Sequence, residues 1–332
     1  MQSTDPAEPG GRKTALITGA SGFIGSHLVD ELLAKGWSVA GVDRRSPTDD
    51  PVARRNLHDA TSNPLFQFIH ADVTDPRVRD VLDVEVVFHL AAATGVRASW
   101  DKNFRSYMSD NICATHHLIQ ECERASVPRL VVASSSSVYG TAAVPSKEDG
   151  QVRPLSPYGV SKLAAEQLAL AYAARAAGTT STVALRFFTV YGPRQRMDMA
   201  ISRMLHAVHT GQPMRLYGDG QQRRNFTFVD DVVEAIVQAA LTPNAGQVVN
   251  VAGPVSVTMK TVLDTVEHVT GTAVPLVAAT AHSGDPEATE ADSRLAEDML
   301  GYRPRVDLTE GITRQWEWTR TTHDTPAIGR TA

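Results

Sequence analysis

The chain has 332 residues, 42 % of them hydrophobic and 21 % charged, a balance usual for a soluble globular protein of about two domains. Its formal net charge of −5 speaks against a nucleic-acid binder, which usually carries a basic excess; a few local arginines can still hold an anionic ligand. No run approaches the roughly 20 apolar residues of a membrane span, and Cys113 and Cys122 alone give no disulfide framework, which fits a reducing cytoplasmic location.

The polar, Pro- and Gly-rich start, residues 1–11, lacks a signal-peptide core and reads as a loose tail, as does the end from 322 to 332. In between, short β-rich runs alternate with helical patterns. Strands are predicted at Thr14–Thr18, Ser38–Val42, Phe66–His70, Val86–Leu90, Arg129–Ala133 and Val183–Arg186. Helices are predicted at Phe23–Lys35, 104–125 and 158–176, and the Asp-, Pro- and Arg-rich stretch 44–56 reads as a surface loop. Apolar strands without alternation suit a parallel sheet covered on both faces. The βαβα order makes the fold class α/β, a doubly wound parallel (Rossmann) sheet.

After Arg186 the segments shorten and gain Gly, Pro and Arg. Asp230–Leu241 reads as a helix, Val248–Val251 as a late strand of the same sheet, and Thr258–Thr270 and Leu308–Thr319 as further helices. The expected organisation is a dinucleotide-binding domain, 12–186 plus 228–253, and a smaller C-terminal substrate-binding lobe, 187–227 plus 254–320.

Thr18–Gly25 (TGASGFIG) directly follows the first strand and opens the first helix. Gly19 permits the tight turn, Gly22 the approach of a pyrophosphate, and Gly25 close packing of helix on strand. Phe23 and Ile24 then begin a helix whose N-terminal N–H groups and dipole attract phosphate. The trio alone also fits an ordinary Gly-rich turn. Its context adds weight: Asp43 ends the second strand, where a carboxylate accepts the adenosine ribose hydroxyls and repels a 2′-phosphate, favouring NAD over NADP. Arg44 and Arg45 follow at once and soften that preference. Asp72 and Val73 are placed to meet the adenine; Leu90, Ala91 and Ala92 are small enough for a cofactor to lie against their backbone, although plain helix-start packing would explain them too.

Tyr158 and Lys162 stand four apart at the start of a helix and share one face. A free tyrosine, with a pKa of about 10, is a poor base at neutral pH. A nearby ammonium and a positive nicotinamide would favour the phenolate. A surface Tyr–Lys pair gives the same spacing. Ser134–Ser137 follow the fifth strand, where hydroxyls need polar partners, and one of them can share a substrate oxygen with Tyr158. His116 and His117 are adjacent on a helix and do not face one point, so no metal is expected.

Taken in order, TGASGFIG, the Asp43 placement, SSSSVYG and YGVSK resemble the extended short-chain dehydrogenase/reductases, the nucleotide-sugar epimerases and dehydratases, over about Lys13 to Trp318. The resemblance implies NAD as cofactor, Ser135 as the catalytic hydroxyl, Tyr158 as the base, and Lys162 as the helper that also holds the nicotinamide ribose. It implies a homodimer through the helices at 104–125 and 158–176.

Within the family, Ser136 and Ser137 stand where dehydratases carry Asp-Glu and glucuronate decarboxylases carry Glu. The pair, with GVRASW at 95–100 and RFFTVYGPRQR at 186–196, is most similar to UDP-glucuronate 4-epimerases. That implies a C6 carboxylate bound by Ser136 and Ser137 and approached by Arg97 and Arg194. Thr189 and the backbone at 199–201 would touch the nucleotide; Arg224 would hold the diphosphate, assisted from the Asp285 segment.

There the chain has His282-Ser-Gly-Asp285 where Arg-x-Gly-Asp is usual, and Met197 replaces a usual Pro. The expected reaction interconverts UDP-glucuronate and UDP-galacturonate through a transient 4-keto sugar. A 4-keto uronate is a β-keto acid, so Ser136, Ser137 and Arg194 would hold its carboxylate in the sugar plane, where CO₂ loss is slow. The same constellation also fits a decarboxylase, a 4-ketosugar reductase, a 4-epimerase of a neutral UDP- or dTDP-hexose, or an NAD-binding module without catalysis.

Overall fold

The computed structural model describes residues 12–100, 104–141, 144–175, 178–280 and 286–323. The first half runs β1 (Thr14–Thr18), α1 (Phe23–Ala34), β2 (Ser38–Asp43), α2 (Pro51–Asn56), β3 (Phe66–His70), β4 (Val86–His89), α3 (Phe104–Tyr107), a π-helical segment Met108–Cys113, α4 (Ala114–Ala125), β5 (Arg129–Ser135), α5 (Pro157–Ala173) and β6 (Ser181–Phe187). The second half runs β7 (Val190–Tyr191), α6 (Ala200–Thr210), β8 (Met214–Tyr217), β9 (Arg223–Asn225), β10 (Thr227–Phe228), α7 (Val229–Leu241), β11 (Gln247–Val251), β12 (Ser256–Thr258), α8 (Met259–Thr270), β13 (Leu276–Ala279), α9 (Arg294–Leu300) and α10 (Leu308–His323).

Seven parallel strands form one sheet in the order β11-β6-β5-β4-β1-β2-β3. Its central strands β1, β4 and β5 are largely apolar because both faces are covered. Ala15 and Ile17 of β1, Val86 and Phe88 of β4, and Val131 of β5 point into one core with Leu28 and Leu32 of α1 and Val232 of α7. Their alternates Leu16, Val87, Leu130 and Val132 point into the other, with Leu118 and Ile119 of α4. Successive side chains of a strand face opposite ways, so a two-sided core demands an unbroken apolar run. Each such side chain contributes about 1.5–3 kcal/mol by leaving water. The strand order reverses direction between β1 and β4, and in doubly wound sheets ligands bind at that reversal, beyond the carboxyl ends of the strands.

Three expectations change. The stretch 44–56 is not all loop: Asp50 caps α2 by accepting the Ala53 N–H (2.8 Å), and Asn56 donates from Nδ2 to the Ser21 carbonyl (3.0 Å), bracing the glycine turn. The helix over 104–125 is not uniform; its middle is π-helical. The later part also holds α6 and α9, and three short strand pairs, β7 with β10, β8 with β13 and β9 with β12.

Candidate active site

Every predicted site residue within the described residues lines one cleft of about 1190 Å³. Asp285, with His282, lies outside the described residues. A pocket for one small ligand is usually some 300–1,000 Å³, so this cleft has room for a dinucleotide and a second ligand.

At one end the chain fits a dinucleotide. Gly19 has φ +74°, and a Cβ there would lie 2.8 Å from the Ala91 nitrogen and 2.9 Å from the Leu90 carbonyl carbon. A Cβ on Gly25 would lie 2.1 Å from the Gly19 oxygen, and one on Gly22 would lie 3.0 Å from it. The turn is therefore closed to any side chain, and α1 begins at Phe23 without a capping side chain, leaving its N-terminal dipole to the cleft. Asp43 accepts the Ser21 N–H (3.1 Å) and the Arg45 N–H (2.9 Å). Arg44 turns to the π segment, with Nη2 2.6 Å from Asp110 Oδ2 and Nη1 3.6 Å from Asp72. Asp72 itself accepts from Thr74 through both nitrogen (2.9 Å) and hydroxyl (2.7 Å). Val73, Leu90, Ala91 and Ala92 form the adjoining wall.

Beneath that wall runs a buried polar chain. His89 shares hydrogen bonds with Thr18 (2.8 Å) and Thr115 (2.8 Å). Burial, then the Lys162 charge, lowers its pKa to about 3, so it bridges as a neutral ring. Asn111 accepts the Ala93 N–H (2.7 Å) and donates to Ser161 (2.9 Å); Ser161 in turn donates to the Tyr158 carbonyl (2.8 Å). The ends of β1 and β4 are thus tied to the first turn of α5.

Ser135, Tyr158 and Lys162, the residues expected to transfer the proton, line the same cleft. Ser156 caps α5 by accepting the Gly159 N–H (3.1 Å), with Pro157 at the first helical position, a place that suits proline's fixed φ. A Cβ on Gly159 would lie 2.6 Å from the Ser137 oxygen, so glycine lets α5 press against the end of β5. That brings Tyr158 beside Ser135. Burial raises the Tyr158 pKa, opposed by the Ser135 hydrogen bond and the Arg196 charge. In the protein alone, then, the phenol stays protonated. Burial lowers the Lys162 pKa to about 8, with Glu166 opposing.

The arginines expected at the substrate differ in their surroundings. Arg97 stacks over the Tyr217 ring at 4.1 Å, and Arg224 donates to the Arg223 carbonyl (2.7 Å) on the cleft wall. Arg194 borders the cleft, but its guanidinium lies 2.6 Å from Asp30 on α1 rather than at Ser136 and Ser137. Arg194 has φ +64°, and Arg196, two residues on, lines the cleft as well. Arg196 bonds to the Thr94 hydroxyl and to Asp198 (3.0 Å through Nε), and is the cation felt by Tyr158. Two arginines two apart look alike in sequence; their partners in the fold tell them apart. Tyr107, also unpredicted, holds the Thr94 and Gly95 carbonyls (both 3.0 Å) and packs edge-on to Tyr158 at 6.2 Å. Thr189 lines the cleft, Met197 is exposed at its rim, and α6 starts at Ala200 without a side-chain cap. His116 bonds to the Tyr172 hydroxyl (3.0 Å). Among the described residues no cluster of metal-ligating side chains occurs and no helix is long and apolar enough to cross a membrane.

A cleft closed by a glycine turn at a sheet reversal, with Ser, Tyr and Lys at its centre, defines a dinucleotide-dependent enzyme of the short-chain dehydrogenase/reductase type. Residues 15–252 match the model of the NAD dependent epimerase/dehydratase family, and the chain belongs to that family. It is similar to the uncharacterized UDP-glucose epimerase YtcB of Bacillus subtilis, with 38 % identity covering 90 % of this chain and 96 % of that protein. Among solved structures it is similar to MoeE5 in complex with UDP-glucuronic acid and NAD, with TM-score 0.86 and 45 % identity over 93 % of this chain and 99 % of that one. It is likewise similar to the UDP-glucuronic acid 4-epimerase of Bacillus cereus in complex with UDP-glucuronic acid and NAD, with TM-score 0.88 and 36 % identity over the same shares.

Proposed function

We propose that this NAD-dependent nucleotide-sugar epimerase acts on a hexuronate, interconverting UDP-glucuronate and UDP-galacturonate. The observation that carries the reading is the end of β5: two neutral hydroxyls, Ser136 and Ser137, line the cleft with Ser135 and Tyr158, and Arg196, bonded to Asp198 and Thr94 on the cleft wall, is near enough for its charge to act on Tyr158. Neither position offers the acid that expulsion of a C6 hydroxyl needs. A carboxylate, by contrast, is well met by hydroxyl donors and a guanidinium fork.

NAD, when bound, supplies a hydride acceptor that is regenerated within the turnover, together with a positive ring beside the phenol. Gly19, Gly22 and the α1 N-terminus would hold its diphosphate, Asp43 its adenosine ribose, and Lys162 its second ribose. Tyr158, with Ser135 sharing its hydrogen bond, would take the proton of the C4 hydroxyl and return it to the same oxygen after the sugar has turned its other face to the cofactor. Ser136, Ser137 and Arg196 hold the C6 carboxylate in the sugar plane, keeping the breaking C–C bond out of overlap with the C4 carbonyl. Arg97, Thr189 and Arg224 hold the nucleotide and diphosphate, within a lobe formed by 187–227 and 254–320. A homodimer accompanies this reading, since Phe104, Met108 and Val160 leave apolar side chains exposed on the expected helices. A neutral hexose is the second reading, favoured by the name of the Bacillus subtilis relative.

Incubation with UDP-glucuronate, without added reductant, followed by proton NMR tests the proposal. UDP-galacturonate with its carboxylate intact is expected. A UDP-pentose would make the enzyme a decarboxylase, and turnover of UDP-glucose alone would favour the neutral hexose.

A further inference from the structure

The loop that carries Arg194 and Arg196 is held from behind by α10, whose Gln315 stands 120 residues after Gln195. Gln195 lies between the two arginines, and its side chain is buried. Its Nε2 donates to the Val190 carbonyl (2.9 Å), and its Oε1 accepts both the Ser202 N–H (3.0 Å) and Gln315 Nε2 (2.9 Å). Gln315 is fully buried and is not among the residues lining the cleft. Its Oε1 accepts the Gly192 N–H (3.0 Å), and its Nε2 donates a second time to the Ser202 hydroxyl (3.2 Å). That hydroxyl in turn donates to the Gln195 carbonyl (3.1 Å). The pairing admits one arrangement of the two amides. The Ser202 N–H fixes Gln195 Oε1 as an acceptor, so Gln315 must present its nitrogen there and keep its oxygen for Gly192. A buried polar network satisfied in this way specifies a single conformation of what it holds.

We propose that Gln315 is a positioning residue for the sugar site: by clamping Gly192, Gln195 and Ser202 together, it fixes the backbone from which Arg196 reaches a sugar carboxylate, and so sustains the preference for a uronate over a neutral hexose. The bond of a guanidinium fork to a carboxylate depends on orientation, and a small displacement set up far from the chemistry is felt strongly at such a contact. A sugar without the carboxylate does not use that cation, so loosening the loop leaves it nearly unaffected. The inference rests on the hexuronate reading and deepens it to the residue that supports specificity from outside the cleft.

The test compares the NAD-loaded full chain as wild type, Gln315→Met, Ser202→Ala and Thr319→Val. Methionine fills a similar volume without hydrogen bonds; Ser202→Ala is the milder lesion of the same network. Thr319→Val removes a buried hydroxyl one turn along α10 that bonds to the Gln315 carbonyl (2.8 Å), and serves as the control for a change in α10 outside the network. In Gln315→Met the KM for UDP-glucuronate should rise about tenfold, the low end for one charged hydrogen bond. Its kcat should stay nearly unchanged, as when binding common to substrate and transition state is lost. The constant for competition by UDP-glucose should not move. Ser202→Ala should show a smaller change of the same kind, and Thr319→Val none. In an Arg196→Ala background Gln315→Met should add little, because the two act through one contact. Without substrate, backbone hydrogen exchange across residues 192–202 should quicken in Gln315→Met and Ser202→Ala but not in Thr319→Val. Equal weakening of both sugars, a full further loss on top of Arg196→Ala, or unchanged exchange would overturn the positioning role. Failure of wild type to turn over UDP-glucuronate would overturn the hexuronate reading instead, and the exchange of 192–202 would still decide whether Gln315 holds the loop.

Discussion

Glu166 and Arg186 form a two-point ion pair sealed behind the end of β5, with Arg186 Nη2 2.7 Å from Glu166 Oε1 and Nε 2.9 Å from Oε2. Glu166 also accepts the Ser134 hydroxyl (2.6 Å). Arg186 reaches on to Tyr139 (2.8 Å), which donates to Asn250 on β11 (2.7 Å). One turn before Glu166 on α5 stands Lys162, so the pair braces the strand that carries Ser135 against the helix that carries Tyr158. Breaking a buried pair leaves an uncompensated charge, which costs about 3–5 kcal/mol. Glu166→Gln should lower the denaturation midpoint accordingly, whereas replacing both partners with methionine should recover much of the loss. Equal stability of the single and double variants would contradict the role.

Gly25→Ala places a methyl group 2.1 Å from the Gly19 oxygen, a backbone atom that cannot yield without moving the turn. The variant should lose the stabilisation by added NAD that wild type shows, visible as a missing shift in melting temperature. Gly36→Ala, at a position where nothing lies within 4 Å but φ is +76°, should cost stability while keeping the NAD shift.

The depressed Lys162 pKa makes a signed prediction. Between about 8 in the fold and the ordinary value of 10.5, the unfolded chain binds the proton that the folded chain does not. Stability from this group therefore rises with pH across that window, and the full cost, roughly 3 kcal/mol, falls below pH 8. Lys162→Met should unfold at higher denaturant than wild type at pH 7, with the difference shrinking toward pH 10. A difference that does not vary with pH would contradict the assignment.

Arg196→Ala should raise KM for UDP-glucuronate by about 10–100-fold, the loss of one charged hydrogen-bonded contact, and leave UDP-glucose little affected. Arg194→Ala should do less to KM and cost up to about 1 kcal/mol of stability, because its partner Asp30 is partly exposed. The reverse ranking in steady-state kinetics would return the carboxylate to Arg194.

Much of this site is legible without the fold. The β1–α1 glycine turn, Asp43, and the Ser135, Tyr158 and Lys162 set are local patterns whose chemistry depends on spacing, and spacing is what a sequence records. Helix α2 is not legible because PVARRN is rich in charge and buries only Ala53 and Asn56, too few positions for a helical period. The π segment is hidden for another reason: it changes backbone hydrogen bonding without changing which residues are apolar. Arg194 and Arg196 cannot be told apart in sequence, since the positive φ of Arg194 has no signature in a run of Pro, Arg and Gln. The state of Tyr158 depends on burial, which the YGVSK pattern does not carry.

Under the proposed reaction, C4 is oxidised and reduced again within one closed site. UDP-glucuronate carrying deuterium at C4, turned over in ordinary water without added reductant, tests this most directly. Retention of deuterium at C4 of UDP-galacturonate, abolished by Tyr158→Phe, is the predicted result. Loss of the deuterium to solvent, or its accumulation in free reduced dinucleotide alongside a ketosugar, would contradict it.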